Sequence, residues 1–326
     1  MFADGVPDAG DSARSYPVHR ISGFKPLRRW LKARAVARRL SRGDVDVIFC
    51  DSWKSLERLR PGAVPVACLA HGTEFPPAPS SRKSRRIKRS LFKAGRVLAS
   101  SHFTAGLLEP YVAKERITVV TPPIDPQPIP SVHAIDGLRQ RIGEGEVIAT
   151  LCRLEPRKGV DRLISALPAL LATYPALKLA VGGSGADRTR LKTLAGTLGV
   201  ADSVAFLGRL SDDEKSALFQ EATIFAMPSR REGASVEGFG IVYMEAAWFG
   251  TPSLAGLDGG AGDAVQDGVT GRLCDGADQA SVTAALLSML GNPERLAQMG
   301  EAARRRASGE IWDRKVADYL GGIVGG

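Results

Sequence analysis

Two carboxylates, Glu237 and Glu245, stand eight positions apart and bracket the segment Glu-Gly-Phe-Gly-Ile-Val-Tyr-Met-Glu. A strand-like apolar run, Ala222 to Ser229, leads through a polar loop into Gly238 and Gly240, where the missing side chains let backbone amides come close to a ligand. The apolar residues from Ile241 onward predict a helix that begins there. A helix start carries unsatisfied N–H groups and a partial positive charge, which suits a diphosphate. Glu245 lies more than one turn into that helix, so it can face a ribose while Glu237, in the loop, faces a sugar. The plain alternative is a loop with a solvated acid ahead of a helix with a half-buried glutamate.

Other residues fall where such a ligand would need them. Val147 to Leu151 predicts a strand that runs into Cys-Arg-Leu-Glu-Pro-Arg-Lys-Gly, which places Arg153 and Lys158 at its carboxyl end, the ligand-binding edge of an open α/β sheet. Two cations across a turn can grip a diphosphate and stabilise charge on a departing nucleotide; a surface turn could hold them equally well. Val181-Gly-Gly-Ser-Gly185 joins another strand to a helix near Ala186 and puts Gly183 at a second close-approach turn, though it does not match Gly-x-Gly-x-x-Gly. In Phe206-Leu-Gly-Arg-Leu-Ser-Asp-Asp-Glu, Ser211 and Glu214 form a helix-capping box, while Arg209 and Leu210 could lie beside a base. His71 follows the strand Val64 to Ala70, at the carboxyl edge of an earlier sheet, where an imidazole can hydrogen-bond a hydroxyl or phosphate.

Short apolar runs alternate with amphipathic ones throughout, the pattern of an α/β protein with parallel sheets. The strand candidates are Val45–Cys50, Val64–Ala70, Arg96–Ser101 and Ile117–Thr121, then Val147–Arg153, Leu177–Gly182, Ser203–Leu207, Ala222–Ser229, Pro252–Ala255 and Gly271–Cys274. Between the two sets, residues 122–131 contain five prolines and read as a linker. The 326 residues suffice for two domains with their own cores. No apolar run is long enough to span a membrane, and the first thirty residues lack a secretory core. Cys50, Cys68, Cys152 and Cys274 are far apart and read as buried thiols of a cytoplasmic protein.

These motifs together resemble the family 4 glycosyltransferases, whose signature joins a Gly-Arg-Leu-x-x-x-Lys-Gly-like turn, here Arg153 to Gly159, to a Glu-x7-Glu segment, here Glu237 to Glu245. The resemblance runs from about Val45 to the C-terminus and takes in Val181 to Gly185 and Gly259-Gly260. Ser235 to Glu245 looks most like the phosphatidylinositol mannosyltransferases and related glycolipid or exopolysaccharide enzymes. The resemblance implies an α/β fold of GT-B type, two Rossmann-like domains with parallel sheets facing across a cleft. The domains would be residues 1–128 on the acceptor side, 129–310 for the nucleotide sugar, and a C-terminal helix, 311–326, returning to the first domain. It implies retaining transfer of a sugar from a nucleotide diphosphate donor without metal or other cofactor, the leaving phosphate itself helping to deprotonate the acceptor, a lipid-linked or glycan molecule. His71 and Glu237 would then be catalytic. Arg153, Lys158, Gly183, Arg209, Leu210, Gly238, Phe239, Gly240, Ile241 and Glu245 would bind the donor. Family members open with an apolar strand and a glycine-rich loop, whereas Met1 to Tyr16 is polar; it reads as disordered or a remnant loop, and the chain as truncated at its N-terminus.

Charge is uneven. Residues 1–145 carry 25 Lys and Arg against 13 Asp and Glu, and residues 146–326 carry 19 against 22. Phe24 to Arg42 holds eight cations and no acid, with Leu27, Trp30, Leu31 and Leu40 sharing much of one helical face, and Arg82 to Lys93 adds seven cations. Such helices can lie on an anionic membrane surface, here the inner face of the cell membrane, or simply present a solvated face. Two rival readings are a nucleic-acid-binding protein, which no recognition motif supports, and an inactive relative that binds nucleotide sugar without turnover. Asp44-Val45-Asp46 matches the Asp-x-Asp metal motif, but these acids precede a strand instead of following one, and read as its solvated entrance.

Overall fold

The computed structural model describes residues 1–12, 14–75 and 81–324. The chain divides into two compact units, one of Met1–Ala99, Ala105–Val120 and Asp318–Gly326, the other of Ser100–Thr104 and Thr121–Ala317. All ten strands expected from the apolar runs are present, their ends trimmed or shifted by up to three residues.

The first unit holds β1 (Phe2–Asp4), β2 (His19–Ile21), β3 (Ile48–Cys50), β4 (Val66–Ala70), β5 (Arg96–Ala99) and β6 (Ile117–Val119). The last four form a parallel sheet in that order. The expectation that Met1 to Tyr16 lacks structure is corrected: β1 pairs in parallel with β2, with Phe2 opposite His19. Their side-chain rings stack at 5.2 Å, and the charged residues there are consumed locally, Arg20 gripping Asp11 and Lys32 holding Asp4. Polarity in this segment reflects ion pairing, not disorder.

Helix α1 (Lys25–Leu40) turns only its far end inward, where Val36 and Leu40 pack on the core. Phe24, Leu27, Trp30 and Leu31 remain exposed. That core is built on Trp53 and Leu56 of α2 (Trp53–Leu56), Ile87 and Leu91 of α3 (Arg82–Leu91), and Leu108 of α4 (His102–Leu108). The Lys93 ammonium collects the carbonyls of Leu56, Glu57 and Leu59 at 2.9–3.0 Å, tying the end of α3 to α2. Asp44 and Asp46 precede β3, and Asp44 is paired with Arg39 at 2.8 Å.

The second unit carries β7 (Val147–Leu151), β8 (Lys178–Gly182), β9 (Val204–Gly208), β10 (Ile224–Met227), β11 (Ser253–Gly256) and β12 (Gly271–Cys274). They form one parallel sheet in the order β12-β11-β10-β7-β8-β9. Neighbouring residues along a strand face opposite cores, as the pleat requires. Ala149, Phe225 and Met227 meet Leu138, Phe219, Tyr243 and Ala303, which belong to α5 (Val132–Ile142), α8 (Asp212–Glu221), α9 (Ile241–Trp248) and α11 (Pro293–Gly309). Ile148, Ile224 and Ala226 meet Ile164, Leu191 and Leu286 of α6 (Val160–Leu171), α7 (Arg188–Thr197) and α10 (Gln279–Leu290). Helices therefore cover both faces, which is why the strands read as nearly unbroken apolar runs. The expected helix start near Ala186 falls at Arg188. Within the first unit, Tyr319 of the last helix, α12 (Trp312–Val324), clusters with Leu98 and Val120.

Candidate functional site

The chain leaves β7 for β8 and β9 on one side, then returns to place β10 on the other. The order reverses between β7 and β10, and in such sheets the crevice beyond the strand ends at that point is where a ligand fits. Both sequence motifs end there. The segment after β7 folds into a single tight turn over Pro156–Lys158, closed by Gly159 in the left-handed region at φ 75°. Any side chain on Gly159 would meet the Pro228 carbonyl at 2.2 Å. The Arg230 N–H also donates to the Arg157 carbonyl at 2.9 Å, so the β7 and β10 loops are knitted together through their backbones.

Within this knot Lys158 is buried and its ammonium bonds Glu237, while Arg157 Nη1 lies 3.3 Å from the same carboxylate oxygen. Glu237 is fixed from behind by its carbonyl, which accepts from the Gly260 N–H at 2.8 Å. The Gly238 carbonyl accepts from Ser101 Oγ at 2.7 Å. Nearby, the Asp263 carboxylate takes both the backbone N–H of His102 at 2.8 Å and its Nδ1 at 2.5 Å. Arg230 clamps the β10 loop to α6 through Asp161, at 2.9 and 3.0 Å.

Gly240 caps α9 at φ 88°, where a Cβ would lie 2.5 Å from the Tyr243 ring. Tyr243 is fully buried and donates to the Met227 carbonyl at 2.6 Å, which locks the helix start against the end of β10. Phe239 is buried and Ile241 is exposed. One turn on, Glu245 Oε1 receives Lys215 Nζ of α8 at 2.9 Å, each side chain about one-fifth exposed. Gly183, after β8, has φ 103°, and a Cβ would stand 1.9 Å from the Cys152 carbonyl, so the β7 and β8 ends meet backbone to backbone.

Eleven of the twelve expected site residues lie in the second unit, and His71 lies in the first. Lys158, Glu237 and Gly238 converge directly with the start of α9. Arg153 does not join Lys158: it projects into solvent, with Glu155 at 3.1 Å, and Arg157 takes the place beside Lys158 instead. Arg209 is exposed, and Leu210 packs on the α5–α8–α9 side of the core. His71 follows β4, exposed, with Nε2 donating to the Asp51 carbonyl at 2.9 Å. Sequence reasoning passed over Arg157, Lys215 and Arg230. An arginine beside a lysine in a glycine-closed turn is a visible signal; Lys215 and Arg230 have no local one.

Burial pushes the Cys152 thiol, just after β7, up to about 11. It holds Cys50 at about 11 and Cys274 at about 12, and raises Cys68 as well, so these thiols stay protonated and unreactive near neutral pH. Among the described residues no group of three or more His, Cys, Asp or Glu is placed to hold a metal ion. None of their helices is long and apolar enough to cross a membrane.

The family model of the glycosyl transferases group 1 matches residues 139–306, and that of glycosyltransferase family 4 matches residues 2–128. The GDP-mannose-dependent alpha-(1-6)-phosphatidylinositol monomannoside mannosyltransferase of Mycolicibacterium smegmatis is 43% identical over 55% of this chain and 48% of its own length. The GDP-mannose-dependent monoacylated alpha-(1-6)-phosphatidylinositol monomannoside mannosyltransferase of Corynebacterium glutamicum is 34% identical over 76% of this chain and 67% of its own. The chain thus spans about half the length of the first of these relatives. Anabaena Alr3699/HepE, solved in complex with UDP, superposes with a TM-score of 0.76 at 22% identity, covering 93% of this chain and 86% of that one. The doubly wound sheet of the second unit, the paired motifs at its strand-order reversal and these matches have one reading: the chain is a GT-B protein and belongs to the group 1, family 4 glycosyltransferases.

Proposed function

We propose that the chain is a retaining, metal-independent glycosyltransferase that moves mannose or another hexose from a nucleotide diphosphate sugar to a lipid-linked or glycan acceptor. The observation that carries this reading is the meeting of Lys158, Arg157 and Glu237 at the reversal between β7 and β10, beside the amides that open α9. In this reading Lys158 and the α9 amides take the diphosphate, and their fixed positive charge stabilises the departing nucleotide as a metal ion would. Glu237 with the Gly238–Gly240 backbone takes the sugar, and Glu245 the ribose. Gly183 lines the diphosphate side, Arg153 would reach it only by leaving Glu155 and swinging in from solvent, and Arg209 and Leu210 lie toward the base. For His71 the proposed role is a hydrogen bond to the sugar or the acceptor. An oxocarbenium-like centre needs charge placed around it, not a covalent protein adduct. The relatives named for GDP-mannose and phosphatidylinositol acceptors favour mannose and a lipid-linked acceptor.

The test is calorimetric binding of GDP-mannose and UDP-glucose to the wild type and Glu245→Ala, followed by turnover with phosphatidylinositol mannoside in the presence and absence of chelator. Tight binding of one donor, lost in the variant, and chelator-resistant turnover with retained anomeric configuration are expected. Donor binding without turnover would establish instead a sugar-nucleotide-binding relative. Chelator-sensitive turnover would refute metal independence.

Membrane contact belongs to the same proposal. Phe24, Leu27, Trp30 and Leu31 are exposed on a helix whose cations include Arg34, stacked over Trp30 at 4.6 Å, and Arg38. Arg20, Trp30, Leu31, Arg34 and Arg38 line one open groove there. An apolar edge flanked by guanidinium groups suits anionic headgroups over acyl chains. Salt-sensitive binding to phosphatidylinositol-containing vesicles should disappear when the arginines of Phe24 to Arg42 become glutamine; unchanged binding removes the contact.

A further inference from the structure

Around the turn after β7, charges form an alternating chain. Arg153 Nη1 meets Glu155 Oε1 at 3.1 Å, Glu155 Oε2 meets Arg157 Nε at 3.2 Å, and Arg157 Nη1 and Lys158 both end on Glu237 Oε2. The inner members are screened from water: the Arg157, Lys158 and Glu237 side chains are 12%, 11% and 14% exposed. A diphosphate drawn to Lys158 therefore meets a carboxylate already bonded to it. In a site this dry, two anions cannot share one ammonium without strong mutual repulsion.

From this geometry we infer that Glu237 discriminates between an intact nucleotide sugar and the free nucleoside diphosphate left after transfer. The inference rests on the donor-site reading above. Engaging Lys158 and Arg157 frees the Glu237 carboxylate in either case. A nucleotide sugar supplies hydroxyl donors to that carboxylate, so its lost partners are replaced. A free nucleoside diphosphate has no sugar hydroxyls to offer there, its ribose being held at Glu245, and its terminal phosphate adds negative charge beside Glu237. An acceptor-only group left without donors in a half-buried site is costly. The pair therefore weakens the hold on the product while sparing the hold on the donor. Arg157, at a position the family signature leaves open, sharpens the effect by keeping Glu237 against Lys158.

Glu237→Gln makes the two ligands respond in opposite directions, which no purely structural role predicts. The amide keeps the shape and one acceptor, removes the negative charge and competes for Lys158 only as a weaker, neutral partner. Calorimetric Kd values for GDP, GDP-mannose, UDP and UDP-glucose are measured on wild type and variant, with circular dichroism and thermal melting to check the fold. For whichever base binds, the nucleoside diphosphate should bind about tenfold tighter, the equivalent of one charge-assisted contact, and the nucleotide sugar several-fold weaker. An unchanged or weakened nucleoside diphosphate affinity in a folded variant overturns the inference. Should the Gln variant fail to fold, Glu237→Asp, which draws the carboxylate back by one methylene, is expected to shift both ligands in the same directions by smaller factors; a fall in both affinities overturns the inference. If wild type binds none of the four, the donor-site reading fails first and takes this inference with it.

Discussion

Replacing Lys158 by Met keeps the apolar stem and deletes the ammonium, and the structure sets the size of two separate effects. Glu237 loses one partner but retains Arg157 Nη1 at 3.3 Å and stays 14% exposed. The stability cost therefore falls below the roughly 3–5 kcal/mol of a fully orphaned buried charge. One lost hydrogen bond to a charged group, about 1.5 kcal/mol, is the closer figure. At ~2–4 °C per kcal/mol for a unit of this size, Tm should drop by about 3–6 °C. The donor loses a charge-assisted contact to its diphosphate, about 1.5–3 kcal/mol, so its Kd should rise by roughly 10- to 150-fold. Differential scanning fluorimetry reads the first effect and calorimetry with GDP-mannose the second. A donor Kd within about twofold of wild type, in a protein that melts as predicted, would refute the placement of the diphosphate on Lys158.

Two further substitutions probe the frame around the site and the first unit. Gly183→Ala must place a Cβ 1.9 Å from the Cys152 carbonyl at φ 103°, so it should cost at least the ~1–3 kcal/mol of a strained backbone and weaken donor binding by parting the β7 and β8 ends; wild-type melting and affinity would contradict it. The Arg20 guanidinium, and then the Asp8 N–H, hold the Asp11 carboxyl down at about 2 against an ordinary 3.8. A carboxyl lowered on folding contributes stability above its unfolded value and loses it as pH falls through its folded one. Asp11→Asn should therefore flatten the fall of Tm between pH 3.8 and about 2, and high salt should shrink the difference; an unaltered Tm profile would show that the pair is spectator.

Much of the fold was legible because its signals are local. A buried parallel strand is a short apolar run whichever residues lie beside it, so ten strands could be read from the chain, and Ser211 with Glu214 announced the start of α8. The strands β1 and β2 were missed because they lie in polar sequence, where the charges of Asp4, Asp11 and Arg20 read as solvation until their partners are known. The exposed apolar end of α1 was half legible: spacing identified the stripe over Leu27 to Leu40, but only packing divides it into a covered part at Leu40 and an open part at Leu27 and Trp30.

At the site the division is similar. Residue types and spacing along the chain determined that a cationic turn closes one strand, that glycines open a helix, and that two glutamates flank that opening. Which cation meets which carboxylate was left to tertiary structure. Lys158 and Glu237 are 79 residues apart, and Lys215 and Glu245 are 30 apart. No local rule links them; they meet because β10 lies beside β7 in the sheet and α8 lies against α9. The same strand order turned Arg153 outward to Glu155 and set Arg157 against Glu237. Short-range sterics and burial write the elements into the sequence, whereas the pairing of charges depends on where the sheet carries the strand ends.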